Sequence, residues 1–499
     1  MTLSTLPHRP ACFRLRQVKF AQILTCCIFL LSTPSWPQSP DTASSPTAGA
    51  PDAPQAAKSP NFFIRLGRFY HDDWFPAPAP TDAPAPPPPA RRGLPSPLDS
   101  PPFPSSDWSY GGSPVIGEPD GNVYPLMTAL NKTSTRTKFY GWLEPTLDFS
   151  TSSSSNAPEA NDVYSNRFEL AQSVLYIERL PDTVQRAHAD WGFHLTALYG
   201  TDYRFTTGKG YFSHQWLDLH RQYGFDPSLE YFDLYLPHIG PFLKYGTNIR
   251  VGRFISIPGV EAQLAPNNYI FSHSLLYSID PFTDTGVLAT TKINDQWLVQ
   301  LGITGGHDVA IWTPDAKPSL TACIDYTTRS VNDNFYLCAN GINNAKYAFN
   351  NIQQYDATWY HRFSKSLHSA AETWYMYERD VPAIGGPIAP ETAANPAFCQ
   401  PGQIRCTAPE YAVDASLQKE LSPHNYIAIR GDFLDDKKGQ RTGYATRYSE
   451  ATFSWNHWIG STIQLRPELR FDHAWDSRAY DNGRASNQFT AASDLIYHF

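Results

Sequence analysis

The sequence lacks most of the features that identify soluble enzymes and nucleic-acid-binding proteins. No G-x-S-x-G, phosphate-binding P-loop or H-E-x-x-H motif occurs, and no spacing predicts a cofactor or a metal site. The formal net charge of −8 gives no support to nucleic-acid binding, which requires a clustered basic surface. After residue 31, no apolar run approaches 18 residues, which excludes membrane spanning by helices.

Aromatic residues are abundant, although the chain is polar on average. They make up 14% of the sequence, whereas methionine occurs only 3 times, and the mean hydropathy is −0.40. The wall of a membrane β-barrel combines these properties, because alternate residues face lipid and water and aromatic girdles mark both interfaces. A soluble all-β enzyme with an aromatic cleft has a similar composition, so composition alone leaves both open.

The N-terminus has the layout of a secretory signal. An apolar run, Phe20–Leu31, follows several basic residues and precedes a short, turn-prone stretch. We therefore predict a signal peptide at residues 1–37. Cleavage of the signal peptide removes three of the 7 cysteines, so the exported protein has an even number. Because exported proteins fold in an oxidising compartment, this even number predicts two disulfides. A zinc site is the alternative, but no histidine spacing of the finger kind accompanies these cysteines. The remaining cysteines are Cys323, Cys338, Cys399 and Cys406.

Residues 38–137 form a Pro/Ala-rich arm, in which residues 38–60 and 76–104 cannot pack a core. Half of the 44 prolines precede residue 105, and a chain of this composition is an extended, mostly disordered spacer. Within it, residues 61–75 have the pattern of one short amphipathic helix. We consider two roles for this helix, a docking element or plug for the rest of the protein and an apolar patch in a disordered arm.

From residue 138 onward, the sequence alternates between apolar and polar residues. In Thr462–Trp475, one face carries Ile463, Leu465, Pro467, Leu469 and Phe471, and the other carries Gln464, Arg466, Glu468, Arg470 and Asp472. A period of two with this contrast is typical of a strand with unlike faces. Several predicted strands exceed 10 residues, long enough to cross the hydrocarbon layer and longer than strands in most soluble folds.

Residues 138–499 therefore predict an all-β fold, a transmembrane antiparallel up-and-down β-barrel of about 16 strands. The count is 14 if the hairpin from Lys317 to Ala339 belongs to an outer loop instead of crossing the membrane. Short and long connections alternate, as do periplasmic turns and external loops. An even strand number places both barrel termini, and the Pro-rich arm, in the periplasm of a bacterium. The terminal Phe499 ends an alternating strand and resembles the signal that barrel-assembly machinery recognises.

Residues 250–287, RVGRFISIPGVEAQLAPNNYIFSHSLLYSIDPFTDTGV, combine a G-R-F strand end, a P-G-x-E element, an Asn/Ser-rich stretch and P-F-T-x-T-G-V. This stretch resembles the central region of the OmpL-like family of outer-membrane β-barrel porins, with Asp284 where a bulkier polar residue is expected. The resemblance continues more weakly from Phe139 to Phe499 and excludes the Pro-rich arm. It implies a porin-like channel of the outer membrane, without naming a substrate.

The channel interpretation predicts where the solute path narrows. We expect the long loop at residues 256–285 to fold inward and to constrict the lumen, where charges of both signs would orient polar solutes. The partners expected are outer-membrane lipids, barrel-assembly machinery through Phe499, small polar solutes and two further copies in a homotrimer. A secreted carbohydrate-active enzyme and a barrel-anchored adhesin or receptor are the alternatives. The predicted pore-lining residues are Lys244, Arg250, Arg253, Glu261, Arg466, Glu468, Arg470 and Asp472.

Overall fold

The computed structural model describes residues 60–76 and 123–499, except residues 160–161, 242, 257–258, 331, 365, 389–395 and 423. The predicted signal peptide, residues 1–37, lies outside the described residues, as does most of the predicted Pro-rich arm. Within the described part, no helix is long and apolar enough to cross a membrane.

The described chain is dominated by long antiparallel strands. The strands are β1 (Lys138–Ser150), β2 (Phe168–Arg179), β3 (Asp190–Gly200), β4 (Gly224–Asp226), β5 (Glu230–Leu236), β6 (Thr247–Ile255), β7 (Thr283–Lys292), β8 (Trp297–His307), β9 (Ser319–Thr327), β10 (Asp333–Ile342), β11 (Gln353–Ser364), β12 (Leu367–Pro382), β13 (Arg405–Ser422), β14 (Asn425–Asp436), β15 (Thr446–Ile459), β16 (Ile463–Ala474) and β17 (Asn487–His498). The helices are α1 (Phe62–Trp74), α2 (Pro125–Ala129), α3 (Tyr203–Thr206) and α4 (His214–Leu217), and 3₁₀ turns span Ala265–Asn267 and Tyr277–Ile279.

Each strand pairs with its neighbours in sequence, and β17 pairs with β1, so the sheet closes into a barrel. The segments β4 and β5 both pair with β3 and form one interrupted crossing. The barrel therefore has sixteen crossings, which confirms the prediction of 16 strands. The alternative of 14 is wrong, because β9 and β10 pair in the wall with β8 and β11.

The two ends of the barrel differ in their connections. We call the end with the longest connections, 151–167, 201–223, 256–282 and 383–404, the loop end, and the opposite end the turn end. The turn end carries short connections such as 293–296, 365–366 and 460–462. Since the number of crossings is even, β1 begins and β17 ends at the turn end.

The outer face of the barrel is apolar between two belts of aromatic rings. At the turn end, neighbouring strands present a continuous row in which Trp297 lies 4.5 Å from Tyr326 and Phe335 lies 6.3 Å from Trp359, centroid to centroid. At the loop end, the rings of Tyr375 and Tyr411 stack 4.9 Å apart. Two aromatic belts around an apolar band are the mark of a wall that meets a bilayer.

The barrel closes through its last residue. Gly141 of β1 and Phe499 exchange two backbone hydrogen bonds, with N···O distances of 2.9 and 2.8 Å. The ring of Phe499 covers the space that a side chain at Gly141 would occupy, since a Cβ there would lie 2.7 Å from the ring. A glycine on β1 therefore makes room for the terminal aromatic residue at the closing seam.

We expect Gly141→Ala to lower the free energy of unfolding by about 1–3 kcal/mol, because overpacking a filled site forces its neighbours to shift. The added Cβ would also lie 2.0 Å from the carbonyl oxygen of Val174. Gly431→Ala on β14 is the matched control, since the nearest atom there, the Glu450 carbonyl oxygen, is 3.7 Å away. Urea unfolding in lipid vesicles measures both variants, and equal losses would contradict this crowding.

Helix α1 docks at the turn end beside the closing seam. The side chain of Asn61 caps its N-terminus by accepting a 3.0 Å hydrogen bond from the Ile64 amide. Tyr70 donates to the backbone oxygen of His498 at 3.0 Å, and Asp73 accepts from the Ser461 amide at 2.9 Å. These contacts favour the docking interpretation of the short helix predicted near residues 61–75.

Candidate functional site

The even-numbered residues of β14 and β16 face the barrel lumen. Along β16, burial alternates from Ile463 to Ala474, as the sequence pattern predicts for this strand. Arg466 and Arg470 are fully buried, whereas Leu469 between them is 50% exposed on the outer face. The charged face of this strand therefore points into the barrel.

The connection between β6 and β7, residues 256–282, crosses the lumen, and we call it the lumen loop. Most of its described residues are buried. Leu275 and Ile279 pack in one apolar cluster with inward side chains of the wall, among them Trp374, Leu434 and Tyr448. The loop end of the lumen is thus narrowed by contacts between this loop and β12, β14 and β15.

Arg466 connects the lumen loop to two strands of the wall. Its Nη1 donates to the backbone oxygens of Ala265 and Asn268, each at 2.9 Å. Its Nε donates to the carboxylate of Asp494 at 3.0 Å, and its Nη2 donates to Glu144 at 3.3 Å. Because all four of these partners are buried, the charge-assisted bonds fix the loop strongly to the wall.

Arg430 makes a second connection from β14. Its Nη1 donates to Glu261 at 2.6 Å and to the backbone oxygen of Ser272 at 2.7 Å, and its Nε donates to Glu450 at 3.2 Å. Burial by itself raises the pKa of Glu261, but the Arg430 guanidinium outweighs it and holds that pKa well below its usual range. Burial lowers the pKa of the neighbouring His273. The loop is therefore held here by an ionised carboxylate.

Arg470, Glu468 and Asp472 complete this set of contacts. Arg470 donates from Nη1 to the backbone oxygen of His273 and from Nε to Asp472 at 3.0 Å. Glu468 accepts a 2.9 Å hydrogen bond from the amide of Ser272. Arg466, Glu468 and Arg470, which were predicted to line the pore, therefore contact the backbone of the lumen loop. Asp472 pairs with Arg470 instead.

Some residues in the same arrangement were absent from the sequence-based prediction. Asp432 accepts a 2.8 Å hydrogen bond from the amide of Leu275, and Arg441 donates to the backbone oxygen of Ile279 at 2.8 Å. Arg430 and Asp432 lie on the even-numbered face of β14, so the alternation used for β16 could have found them. Arg441 lies in the connection 437–445, where no such pattern exists.

Three predicted pore-lining residues lie elsewhere. Lys244 is exposed in the turn 237–246, because β6 begins only at Thr247. Arg250 faces inward, where its Nε donates to Asp233 at 3.0 Å and its guanidinium lies 3.7 Å from the centroid of the Tyr231 ring.

Arg253 is buried against the connection between β3 and β5. Its Nη1 donates to Asp226 at 3.0 Å and to the backbone oxygen of Pro227 at 2.8 Å, and its guanidinium lies 4.2 Å from the Tyr211 ring centroid. The predicted set is therefore divided. Glu261 and the charged residues of β16 meet at the lumen loop, whereas Arg253 fixes a different loop.

The turn end of the lumen is narrowed by the segment before the barrel. Tyr124 and Met127 are buried in one apolar cluster with Tyr140, Trp142 and Tyr176 of β1 and β2. The ring of Tyr124 stacks on that of Tyr140 with a centroid distance of 4.2 Å. Helix α2 therefore occupies part of the lumen at this end.

A cavity of ≈ 50 Å³ lies between the lumen loop and strands β11 to β14. Glu261, Tyr269, Tyr360, Asp414 and Gln418 are among the residues that line it. It extends to His368, close to the turn 365–366, and reaches Arg430 in the middle of β14. The cavity is thus the space left beside the loop within this part of the barrel.

Disulfides join Cys323 to Cys338 and Cys399 to Cys406. The first pair lies directly opposite in the register of β9 and β10. The second pair joins the connection 383–404 to the start of β13. Among the described residues, no group of three or more His, Cys, Asp and Glu side chains is placed to hold a metal ion.

The ends of the lumen loop explain the sequence pattern of residues 250–287. Gly252 and Gly286 are opposite one another in the register of β6 and β7. A Cβ at Gly252 would lie 2.2 Å from the Glu230 carbonyl oxygen, and one at Gly286 would lie 2.2 Å from that of Ile303. Both glycines permit close strand contact where the loop leaves the wall, and the Glu of P-G-x-E is the partner of Arg430.

A family model described as "Putative beta-barrel porin-2, OmpL-like" matches residues 136–499, which contain the whole barrel and the lumen loop. The chain belongs to this family. The resemblance predicted from residues 250–287 is confirmed, and with it the assignment as a porin-like channel of the outer membrane. Membership of this OmpL-like porin family favours a channel over the secreted enzyme considered above.

A solved porin and other solved outer-membrane proteins are similar in structure to this OmpL-like porin. The anion-selective porin from Comamonas acidovorans has a TM-score of 0.46 and 10% identity, covering 73% of this chain and 99% of its own. The outer membrane channel DcaP of Acinetobacter baumannii has a TM-score of 0.43 and 10% identity, and the match covers 73% of this chain and 97% of the DcaP chain. The trimer form of OmpT from Vibrio cholerae has a TM-score of 0.40 and 8% identity, and the match covers 73% of this chain and 99% of the OmpT chain. No curated protein sequence matches the chain.

Proposed function

We propose that this OmpL-like porin lets small polar solutes diffuse passively past the lumen loop, which acts as the constriction. The observation that carries the proposal is the attachment of this loop across the lumen by Arg430, Arg466 and Arg470. A loop held by three buried guanidinium groups keeps one position, so the space beside it has a fixed size. The cavity between the loop and β11 to β14 is the part of that space which we assign to the solute path.

We further propose that the channel prefers cations. Carboxylates outnumber guanidinium groups on the buried face of β11 to β17, and acidic side chains lining a pore attract cations. The buried cations of these strands are Arg430, Arg466 and Arg470. The buried carboxylates are Asp356, Glu372, Glu378, Glu410, Asp414, Asp432, Asp436, Glu450, Glu468, Asp472 and Asp494.

Planar-bilayer recording under a potassium chloride gradient tests both statements. We expect stable single-channel currents and a reversal potential whose sign reports potassium in excess of chloride. Folded protein that inserts but carries no current would reject the channel and favour the adhesin or receptor alternative. A reversal potential of the opposite sign would reject cation preference while retaining the channel.

The same proposal assigns the surroundings of the barrel. Outer-membrane lipids contact the apolar outer face, and the turn end, with both barrel termini and the Pro-rich arm, lies in the periplasm. Phe499 is the residue that we assign to recognition by barrel-assembly machinery, supported by its place at the closing seam. A homotrimer is the oligomer that we propose, and chemical cross-linking in native membranes tests it.

A further inference from the structure

We propose that the cavity beside the lumen loop binds the head group of a small organic cation, a primary ammonium or a guanidinium group. This inference rests on the proposed channel and adds the chemical class of one solute. It is carried by two buried acceptors that line the cavity, Asp414 and Gln418, together with the size of the cavity.

The size of the cavity suits a head group rather than a large molecule. Its volume is ≈ 50 Å³, which holds about four water molecules when each requires roughly 10–15 Å³ of such space. An ammonium or guanidinium group needs comparable room. The rings of Tyr269 and Tyr360 line the same space, and aromatic faces attract organic cations.

Two buried acceptor atoms in the lining of this cavity lack a hydrogen-bond donor. Asp414 is 2% exposed, and its Oδ1 has no hydrogen-bond partner among the described residues. The side-chain nitrogen of Gln418 donates a 2.7 Å hydrogen bond to the hydroxyl of Ser416. The side-chain oxygen of Gln418, Oε1, is buried and has no hydrogen-bond partner within the part of the chain that the structure describes. Buried acceptors without donors are costly, so a ligand or water rich in N–H or O–H groups satisfies them.

The one guanidinium group in the lining cannot satisfy Asp414. Arg430 directs its donors to Glu261, the hydroxyl and backbone oxygens of Ser272, and Glu450. The buried carboxyl group of Glu372 lies on the neighbouring strand, directly opposite Asp414 in register. An acidic surrounding with unused acceptors favours a cationic hydrogen-bond donor over an anion.

Block of the potassium current by methylguanidinium tests this inference. We expect the wild-type current to fall as methylguanidinium is added, and the concentration for half-block to rise about tenfold in Asp414→Asn, as for loss of one charge-assisted hydrogen bond. Asp325→Asn is the matched control. Asp325 is buried on β9 and accepts from Asn334 at 2.7 Å, away from the cavity. The proposal would be overturned if methylguanidinium blocked the potassium current of both variants equally. It would also be overturned if acetate blocked the wild-type current as well as methylguanidinium does.

Calorimetric titration of detergent-folded protein with methylguanidinium provides a second measurement that needs no current. We expect heat of binding from the wild type and from Asp325→Asn, and a much weaker signal from Asp414→Asn. Binding without any channel current would reject the proposed channel and retain the cation site. Current without binding would reject the cation site and retain the channel.

Discussion

Replacement of Arg466 with glutamine is expected to lower the free energy of unfolding by about 3–5 kcal/mol, because removing one partner of a buried ion pair leaves an uncompensated charge. The carboxylates of Asp494 and Glu144 would remain buried without their shared cation. The backbone oxygens of Ala265 and Asn268 would also lose their donor. The lumen loop would then lose one of its three guanidinium attachments and become more mobile at residues 265–268, and single-channel conductance should rise. Urea unfolding in vesicles and planar-bilayer recording measure the two effects.

Arg447→Gln is the matched control for this substitution. Arg447 on β15 pairs with Asp476 at 2.7 Å, but both side chains are about half exposed. An exposed ion pair contributes little to stability because water screens it, and this pair lies away from the lumen loop. Arg466→Lys should recover part of the stability, since lysine keeps the charge but lacks the planar set of donors. If Arg466→Gln and Arg447→Gln were equally stable and conducted alike, the loop attachment would be refuted.

The barrel could be predicted from the sequence because its signal is repeated in every strand. Apolar side chains that meet lipid and polar side chains that meet the interior alternate with a period of two, and the pattern in β16 assigns each side chain to the correct face. Where the pattern stops, prediction fails. Lys244 was predicted to line the pore, but it lies in a turn that ends at Gly246, where φ is 101°, and β6 begins only at Thr247.

The role of the lumen residues could not be predicted in the same way. The sequence pattern of β16 shows that Arg466, Glu468 and Arg470 face inward, but an inward side chain can meet water or another segment of the chain. The lumen loop is remote in sequence from β16, and its backbone oxygens are the partners of these arginines. Every residue has a backbone carbonyl oxygen, so no residue type in the loop marks these oxygens as partners.

The division between lipid-facing and lumen-facing residues predicts how the effect of an added charge depends on depth. We expect Leu469→Arg to lower the free energy of unfolding in vesicles by about 2–4 kcal/mol, the cost of arginine near the bilayer midplane. Leu469 lies in the middle of β16, is 50% exposed on the outer face and pairs in register with Phe453 and Ala491.

His473→Arg is the control on the same face. It lies near the loop end of β16, where the same charge should cost about 0–1 kcal/mol. The surroundings of the outer face change from hydrocarbon at mid-strand to the polar interface at the strand end, and this change makes the charge costlier at Leu469 than at His473. If both substitutions destabilised the barrel equally, the outer face of β16 would not cross the hydrocarbon layer.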